Sequence, residues 1–210
     1  MKSMTKEFLD AERNIKPFGS QQVFTSTGQL AISEKLYSIE EIKKINEEIV
    51  KYESDSVEEP EDHTTSNVIK SAKTRIFPCM TLADHLDKFI VFIMDSNRRL
   101  FGYDIYLGLP AESYNYNEYD EGDEYGWHFD AEVGSGSDIK LTCILNLSEE
   151  PYEGGNFLIT GVEENQIEEW GVNTPGTAIA FNSIRSHKVN PVTKGKRITL
   201  SYWALGPKWK

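Results

Sequence analysis

The chain has few of the features that mark secreted, membrane-anchored or nucleic-acid-binding proteins. Its 210 residues include only two cysteines, Cys79 and Cys143. The N-terminal segment MKSMTKEFLDAERNIKPFG has no apolar core of the length that a secretory signal needs. We therefore expect no signal peptide, no membrane anchor and two reduced thiols, and we place the protein in the cytoplasm. Because a net charge of −12 comes with no long run of Lys or Arg, we expect no nucleic-acid partner.

The composition is that of one globular domain whose N-terminal half predicts two helices. Hydrophobic residues are 39% and charged residues 27% of the chain. Ser38 and Glu41 form a capping-box pattern, and the apolar spacing after them predicts a helix over 39–52. A second helix is predicted from Thr81 to about Asn97. Between them lies an acidic, polar segment, 53–67, which we expect to be a surface loop.

From Phe101 onward, short segments rich in Tyr, Ile, Val, Thr and Phe alternate with turn signals such as DEGDE, GSGSD and NTPGT. We therefore expect a mainly β fold with α support, a sandwich or barrel with helices packed on one face. Residues 1–100 would form the helical support region and 101–210 the β core of a single compact domain. The predicted strands are 102–108, 113–119, 139–147, 156–160, 177–181, 186–189 and 196–203.

Two of the four histidines occur in patterns that suit a metal ion. His128 and Asp130 are two residues apart in the extended segment WHFDA, which directs both side chains to one face of a strand. His187 follows in another β-like segment. Two imidazoles and one carboxylate are the ligand set of non-haem Fe(II) oxygenases, although Zn²⁺ accepts the same donors.

The last apolar strand, RITLSYWA, contains an arginine whose environment needs an explanation. Strand alternation places Arg197, Thr199, Ser201 and Trp203 on one face. A buried arginine beside small hydroxyl groups is costly unless an anion meets it. A dicarboxylate co-substrate would be such an anion, bound by the guanidinium through paired hydrogen bonds. A salt bridge with one of the neighbouring acids is the alternative.

Three segments, in this order, resemble the Fe(II)- and 2-oxoglutarate-dependent dioxygenases of the prolyl 4-hydroxylase-like branch. They are Tyr119-x-x-Gly122-x-x-Tyr125-x-x-His128-x-Asp130, then Gly154-Gly155-Asn156-Phe157, then His187-x-Val-x-Pro191-Val-x-x-Gly195-x-Arg197. The likeness covers residues 100–205, and the joint match is far more specific than any single segment.

The resemblance implies a double-stranded β-helix, the jelly roll or cupin-like fold, packed against N-terminal helices. It implies Fe(II) bound by His128, Asp130 and His187, with 2-oxoglutarate as co-substrate, O2 as oxidant and ascorbate as reductant. Arg197 would hold the far carboxylate of 2-oxoglutarate. Tyr119 would donate a hydrogen bond to the co-substrate. The other candidates are Trp203, Ser201, Thr199 and Asn146 around the co-substrate, and Tyr125 and Trp127 as substrate contacts.

The activity that the resemblance implies is hydroxylation of a protein, a peptide or an amino-acid side chain. Basic and proline-containing substrates are both candidates, since acidic residues crowd 118–124 and Glu132. These acids would either attract a cationic substrate or form an ordinary solvated loop. The alternatives are a nucleic-acid demethylase of the same superfamily, which the net charge disfavours, and a metal isomerase or non-catalytic β-sandwich of cupin type. The oligomeric state stays open.

Overall fold

A computed structural model describes residues 22–24, 30–52, 57–58, 70–107, 113–131, 138–161, 167–170 and 172–209 of the protein. Within these residues there are two α-helices, α1 (Ile39–Lys51) and α2 (Asp87–Ser96), and fourteen strands. The strands are β1 (Gln22–Phe24), β2 (Leu30–Ser33), β3 (Val57–Glu58), β4 (Lys73–Pro78), β5 (Ser113–Tyr119), β6 (Tyr125–His128), β7 (Asp138–Asn146), β8 (Glu153–Gly154), β9 (Phe157–Thr160), β10 (Ile167–Trp170), β11 (Ala178–Asn182), β12 (His187–Val189), β13 (Val192–Lys194) and β14 (Arg197–Gly206). No helix among the described residues is both long and apolar enough to cross a membrane.

Helix α1 begins where the capping box predicts. The Ser38 hydroxyl accepts a hydrogen bond from the backbone N–H of Glu41 at 3.3 Å, and the Glu41 carboxylate accepts one from the N–H of Ser38 at 2.9 Å. The predicted apolar stripe of Ile42, Ile45 and Ile49 is buried. The predicted helix over 39–52 is therefore confirmed to within one residue.

Helix α2 begins at Asp87, so the predicted start at Thr81 is wrong. Thr81 lies in the 3-10 turn Cys79–Leu82, where its hydroxyl donates to the carbonyl of Pro78 at 2.7 Å instead of capping an α-helix. The apolar spacing predicted too early a start because the 3-10 turn and α2 bury their apolar residues against the same part of the core. Leu82, Leu86 and Phe89 are all fully buried.

The strands form two main sheets that pack on each other. The larger has eight strands in the order β1-β2-β11-β7-β14-β5-β4-β3, and the smaller has four in the order β10-β9-β12-β6. Ile144 and Phe181 of the large sheet meet Phe157, Ile159 and Val189 of the small one in a single apolar cluster. The functional side chains described below lie between these sheets.

The outer face of the large sheet packs against the helices. Along β7, Leu141, Cys143 and Leu145 join the apolar cluster that contains the helical residues Ile45 and Phe92. The alternate residues of the same strand face the small sheet, as the two-residue period of a strand requires. This arrangement is the mainly β fold with helical support on one face that the sequence predicts.

Most strands after residue 110 lie close to their predicted positions. The predicted strand 102–108 is wrong over its described residues, 102–107, of which only Tyr106 forms a bridge, with Leu205. This segment follows a π-helical turn, Asn97–Phe101, and its residues Tyr103, Ile105 and Leu107 pack against the core without extending the sheet. The short strands β8, β10 and β13 were missed because two to four residues carry no readable alternation.

The predicted helical support region also contains strands. Within 1–100, β2 pairs with β11 and β4 pairs with β5, so this region completes the large sheet as well as covering it. The division at residue 100 stays a prediction. The predicted acidic loop 53–67 lies outside the described residues except for Val57–Glu58, which pair with β4.

Candidate active site

Three side chains with metal-binding atoms meet between the two sheets. His128 on β6 lies directly across from His187 on β12, and Asp130 follows β6 by two residues. Their ligand atoms all lie within 4.8 Å of one another. The Nε2 atom of His128 is 3.7 Å from Oδ1 of Asp130, and that of His187 is 3.5 Å from Oδ2. The structure therefore brings the predicted triad together.

Backbone carbonyls fix the orientation of both imidazoles. The Nδ1 atom of His128 lies 2.8 Å from the carbonyl oxygen of Gly126, and that of His187 lies 3.0 Å from the carbonyl oxygen of Arg185. Because a carbonyl only accepts hydrogen bonds, each Nδ1 carries the proton and each Nε2 keeps a lone pair. Both lone pairs belong to the nitrogens that face Asp130.

Burial keeps both imidazoles neutral. It lowers the pKa of His128 to about 4, with the nearby His187 acting in the same direction. Burial likewise lowers the pKa of His187, against the opposing effect of Asp130. Neutral imidazole is the form that binds a metal ion.

Two hydrogen bonds hold Asp130. Its Oδ2 atom accepts from the Thr142 hydroxyl at 2.5 Å, and its backbone N–H donates to the carbonyl of Ser183 at 3.1 Å. Hydrogen bonds of this kind fix the direction of a ligating carboxylate. Two neutral imidazoles and one oriented carboxylate on one side of a cavity fit Fe(II), the metal that the resemblance implies.

The triad opens into a cavity of about 70 Å³ between the sheets. One water molecule needs roughly 10–15 Å³ of such space, so the cavity has room for a small ligand. The lining residues are Lys70, Asn117, Tyr119, Tyr125, His128, Asp130, Thr142, Ile144, Phe157, His187, Val189, Arg197, Thr199, Ser201 and Trp203.

Arg197 is the buried cation of this cavity. The residue is only 1% exposed, and its Nε atom has no hydrogen-bond partner. Its guanidinium reaches the Thr199 hydroxyl at 3.5 Å and lies 5.0 Å from the centre of the Tyr119 ring. Within the described part of the chain no carboxylate pairs with it, so the salt-bridge alternative finds no support. A buried guanidinium without an anion fits the carboxylate of 2-oxoglutarate.

The Gly154–Gly155 turn makes room for Arg197. Both glycines have positive φ, +74° and +60°. A Cβ atom at Gly155 would lie 2.9 Å from Cδ of Arg197, and one at Gly154 would lie 2.4 Å from the carbonyl oxygen of Pro191. The glycine pair is therefore required both by its backbone conformation and by the side chain packed against it.

Four of the other candidates around the co-substrate line the cavity, and the fifth, Asn146, does not. Thr199, Ser201 and Trp203 line the cavity beside Arg197, on the face that strand alternation predicts. Tyr119 also lines it, and burial raises the pKa of its phenol although Arg197 acts in the opposite direction, so the phenol stays a hydrogen-bond donor.

Asn146 does not line the cavity. Its amide donates to the Tyr152 hydroxyl at 3.1 Å and to the carbonyl of Val172 at 2.7 Å, and its oxygen accepts from the N–H of Ser148 at 2.9 Å. All of these bonds join neighbouring segments of the fold. The geometry gives Asn146 a structural role.

The two candidate substrate contacts differ in position. Tyr125 lines the cavity and stacks on the ring of His128, with 3.6 Å between ring centres. Trp127 points to the other face of β6, where it is 37% exposed and lies under the ammonium of Lys188. Only Tyr125 can reach a molecule inside the cavity.

Among the polar residues of the lining, sequence reasoning missed Thr142, Asn117 and Lys70. Thr142 could have been found, because it shares the parity of Asn146 on β7 and therefore the same face. Asn117 shares the parity of Tyr119 on β5 in the same way. Lys70 had no signal, since it follows a polar segment without periodicity. Its ammonium lies 5.3 Å from the centre of the Tyr125 ring.

Two of the acidic residues before the metal ligands form ion pairs with neighbouring strands and segments. Glu118 pairs with Arg75 at 2.9 Å and with Lys196 at 3.2 Å, while Asp120 pairs with Lys196 at 3.2 Å and Lys73 at 3.3 Å. These pairs join β5 to β4 and to the start of β14. Glu118 and Asp120 are therefore neutralised within the chain and contribute little to a negative rim for cationic substrates. Glu132 lies outside the described residues.

The fold and the site together define a class: a β-sandwich metalloprotein with two histidines, one carboxylate and a buried arginine in one cavity. Residues 114–205 match the model of the 2OG-Fe(II) oxygenase superfamily. The resemblance seen in the sequence is confirmed over this part of the chain, which is similar to members of this superfamily. A match to this family model implies Fe(II), 2-oxoglutarate and O2.

Individual relatives agree with this assignment. A PKHD-type hydroxylase of Janthinobacterium sp. (strain Marseille) is 38% identical over 96 residues, which cover 42% of this chain and 41% of that protein. The match thus spans about two fifths of the length of this curated relative.

Solved structures share the fold. A prolyl-4-hydroxylase of Pseudomonas putida aligns with a TM-score of 0.64 at 17% identity, covering 86% of this chain and 94% of that one. A prolyl hydroxylase of Trichoplax adhaerens, solved with a hypoxia inducible factor peptide fragment, aligns with a TM-score of 0.62 at 17% identity, covering 85% of each chain. The double-stranded β-helix predicted from the resemblance is the fold observed.

Proposed function

We propose that this protein is a Fe(II)- and 2-oxoglutarate-dependent dioxygenase that hydroxylates a protein, peptide or amino-acid side chain. The observation that carries the proposal is one cavity lined both by the His128–Asp130–His187 triad and by a buried Arg197 that pairs with no carboxylate of the described residues. A metal isomerase or a binding module of cupin type has no need for that arginine beside the triad. Relatives named as hydroxylases support the same reaction class.

In this proposal the triad would hold Fe(II), with both Nε2 atoms and the Asp130 carboxylate as ligands. Bound Fe(II) with 2-oxoglutarate and O2 would supply the oxidation of a C–H bond, with decarboxylation of 2-oxoglutarate to succinate and CO2. Arg197 would bind the far carboxylate of the co-substrate and fix its position, and Tyr119 and Thr199 would add hydrogen bonds beside it.

The remaining wall of the cavity would keep bulk water out of the site. Ile144, Phe157 and Val189 line it with apolar surface, and all three belong to one buried apolar cluster. Exclusion of water strengthens the hydrogen bonds of Arg197 and Tyr119 to a bound anion. Tyr125, stacked on His128, would form the side of the cavity that a substrate approaches.

For the substrate we propose a proline-containing peptide or protein rather than a basic one. The prolyl hydroxylase neighbours support proline, and one of them was solved with a peptide. Two of the acidic residues that would have attracted a basic substrate, Glu118 and Asp120, are already paired with Lys and Arg of the same chain. Ascorbate as reductant and a cytoplasmic location complete the proposal.

The test is oxygen incorporation into a peptide pool. Proline-containing peptides and matched lysine-containing peptides would be incubated with the protein, Fe(II), 2-oxoglutarate, ascorbate and O2, and then examined by mass spectrometry. We expect a mass gain of one oxygen atom in the proline-containing pool, absent when His128→Ala replaces the wild type. A gain confined to the lysine-containing pool would reject the proposed substrate while keeping the reaction class.

A further inference from the structure

The turn formed by residues 183–186, between β11 and β12, contacts both segments that carry the metal-binding side chains. The carbonyl of Ser183 accepts the backbone N–H groups of Asp130 at 3.1 Å and Ala131 at 3.2 Å. The carbonyl of Arg185 lies 3.0 Å from Nδ1 of His187 and accepts a hydrogen bond from it. One short turn thus sets the backbone of the carboxylate ligand and the ring direction of the second histidine.

The same turn is attached to two further strands. Ser183 is fully buried, and its N–H and hydroxyl donate to the carbonyls of Lys140 at 3.2 Å and Ile139 at 2.5 Å on β7. Arg185, also buried, donates from Nε to the carbonyl of Thr160 on β9 at 2.8 Å, and its Nη2 bonds the same oxygen. The N–H of Thr160 donates back to the carbonyl of Ser186 at 2.9 Å.

The arginine joins this turn to β9 through two donor atoms. Arg185 is buried, and its Nε and Nη2 atoms both bond the carbonyl of Thr160. Two bonds from one planar guanidinium to one oxygen fix the distance between the turn and β9. That distance determines where the carbonyl of Arg185 lies and therefore where Nε2 of His187 points.

We propose that Arg185 and Ser183 are positioning residues of the metal centre, which hold the 183–186 turn so that Asp130 and His187 are aligned before a metal binds. The inference rests on the proposed function for its metal, but its geometric part concerns the metal-free protein. Arg185 ties the turn to β9 and Ser183 ties it to β7. The segments of the two ligands are also joined by the β6–β12 pairing.

The first experiment measures the affinity of Mn(II), used in place of Fe(II), by calorimetry without co-substrate. Loss of an outer partner of a metal ligand typically weakens binding about 10- to 100-fold. We expect a loss in this range for Arg185→Met, which keeps the length of the side chain, and a smaller loss for Arg185→Lys, which keeps one donor group. Ser183→Ala should also weaken binding.

The matched control is Ser148→Ala. Ser148 is buried and, like Ser183, bonds only backbone groups through its hydroxyl, but it lies outside the cavity lining. We expect this variant to lose thermal stability comparable to that of Ser183→Ala while its affinity for Mn(II) is unchanged. Arg185→Lys and Ser183→Ala serve as the test variants if Arg185→Met does not fold.

The second experiment uses the metal-free protein, with nitrogen NMR of the histidine rings at neutral pH. The wild type should show His187 with its proton on Nδ1, and Arg185→Met should show a mixture of the two tautomers. The inference is overturned if Arg185→Met unfolds at a lower temperature but keeps both the Mn(II) affinity and the tautomer of the wild type. If neither the wild type nor His128→Ala binds Mn(II), the proposed function fails, and the tautomer measurement still decides the positioning role.

Discussion

At the scale of single residues, the site owes its form to hydrogen bonds that exist without a ligand. Each imidazole donates from Nδ1 to a carbonyl two residues earlier in the chain, which leaves Nε2 directed toward Asp130. The Thr142 hydroxyl fixes the carboxylate. Arg197 is the exception, because its Nε atom is buried with no partner. The three candidate metal ligands are thus held by hydrogen bonds within the protein, whereas the guanidinium of Arg197 pairs with no carboxylate of the described residues.

The first prediction concerns Arg197. With Mn(II) present, 2-oxoglutarate at 100 times its dissociation constant should stabilise the protein by about 2.7 kcal/mol. We expect Arg197→Ala to abolish this stabilisation, because the buried cation supplies the charge that the far carboxylate needs. Lys196→Ala is the control, since Lys196 pairs with Glu118 and Asp120 outside the cavity. Thermal unfolding measures both. An equal shift in Arg197→Ala and wild type would contradict the assignment.

A second prediction separates the two sides of the site. Thr142→Val removes the hydroxyl that holds Asp130 and should weaken Mn(II) binding about tenfold or more. Thr199→Val removes the hydroxyl beside Arg197 and should weaken 2-oxoglutarate binding while Mn(II) affinity stays as in the wild type. Both affinities can be measured by calorimetry. Identical effects of the two substitutions on the metal would show that Thr142 has no special role.

A third prediction tests the glycine turn. Gly155→Ala adds a methyl group 2.9 Å from Cδ of Arg197 at a positive φ, so we expect weaker binding of 2-oxoglutarate in addition to a stability loss of roughly 1–2 kcal/mol. Gly122→Ala is the matched control: its φ is also positive, but no atom lies within 4 Å of the added Cβ. It should lose similar stability and bind the co-substrate normally. If both variants bind equally well, the Gly155–Arg197 contact is unimportant.

At the scale of secondary-structure elements, the helices pack against the large sheet, and the strands carry the residues that line the cavity. Strand alternation divides β7 and β14 into one face toward the helices and one toward the cavity. Leu200 and Tyr202 belong to the helix side, while Thr199 and Ser201 line the cavity. A strand can therefore tolerate apolar exchange on one face without disturbing the chemistry on the other.

The helix caps give a prediction at this scale. Ser38→Ala removes the capping box of α1 and should lower the free energy of unfolding by about 1 kcal/mol, measured by urea denaturation. Thr81→Ala should cost less, because Thr81 caps no α-helix and bonds only the carbonyl of Pro78. Mn(II) affinity should be unchanged in both. A larger loss for Thr81→Ala than for Ser38→Ala would contradict the placement of the two helix starts.

Local patterns predicted the elements to different degrees. The capping box located α1 because both of its hydrogen bonds form within one turn. The Thr81 pattern failed because the apolar spacing runs unbroken through a 3-10 turn into α2. Strand parity placed Thr199, Ser201 and Trp203 correctly, since period two depends on the strand alone. The same alternation applied to β7 would have identified Thr142 as a cavity residue. Short strands, in contrast, have too few residues for an alternating pattern to be recognised.

At the scale of the whole molecule, the site depends on pairings between distant parts of the sequence. His128 and His187 meet because β6 and β12 are neighbours in the small sheet, and Arg197 joins them from the large sheet. No spacing rule predicts such contacts, so the grouping came from the resemblance of three ordered segments to a known family. The 183–186 turn and its bonds to β7 and β9 could not be inferred from sequence at all.

The most direct test of the central claim is succinate formation from 2-oxoglutarate with Fe(II), ascorbate and O2. The wild type should produce succinate above background, and more when a peptide substrate is present. His128→Ala and Asp130→Ala should produce none, because each removes a ligand from the set that holds the metal. Succinate at equal rates in the wild type and both variants would contradict the account. So would a wild type that forms no succinate and binds no 2-oxoglutarate.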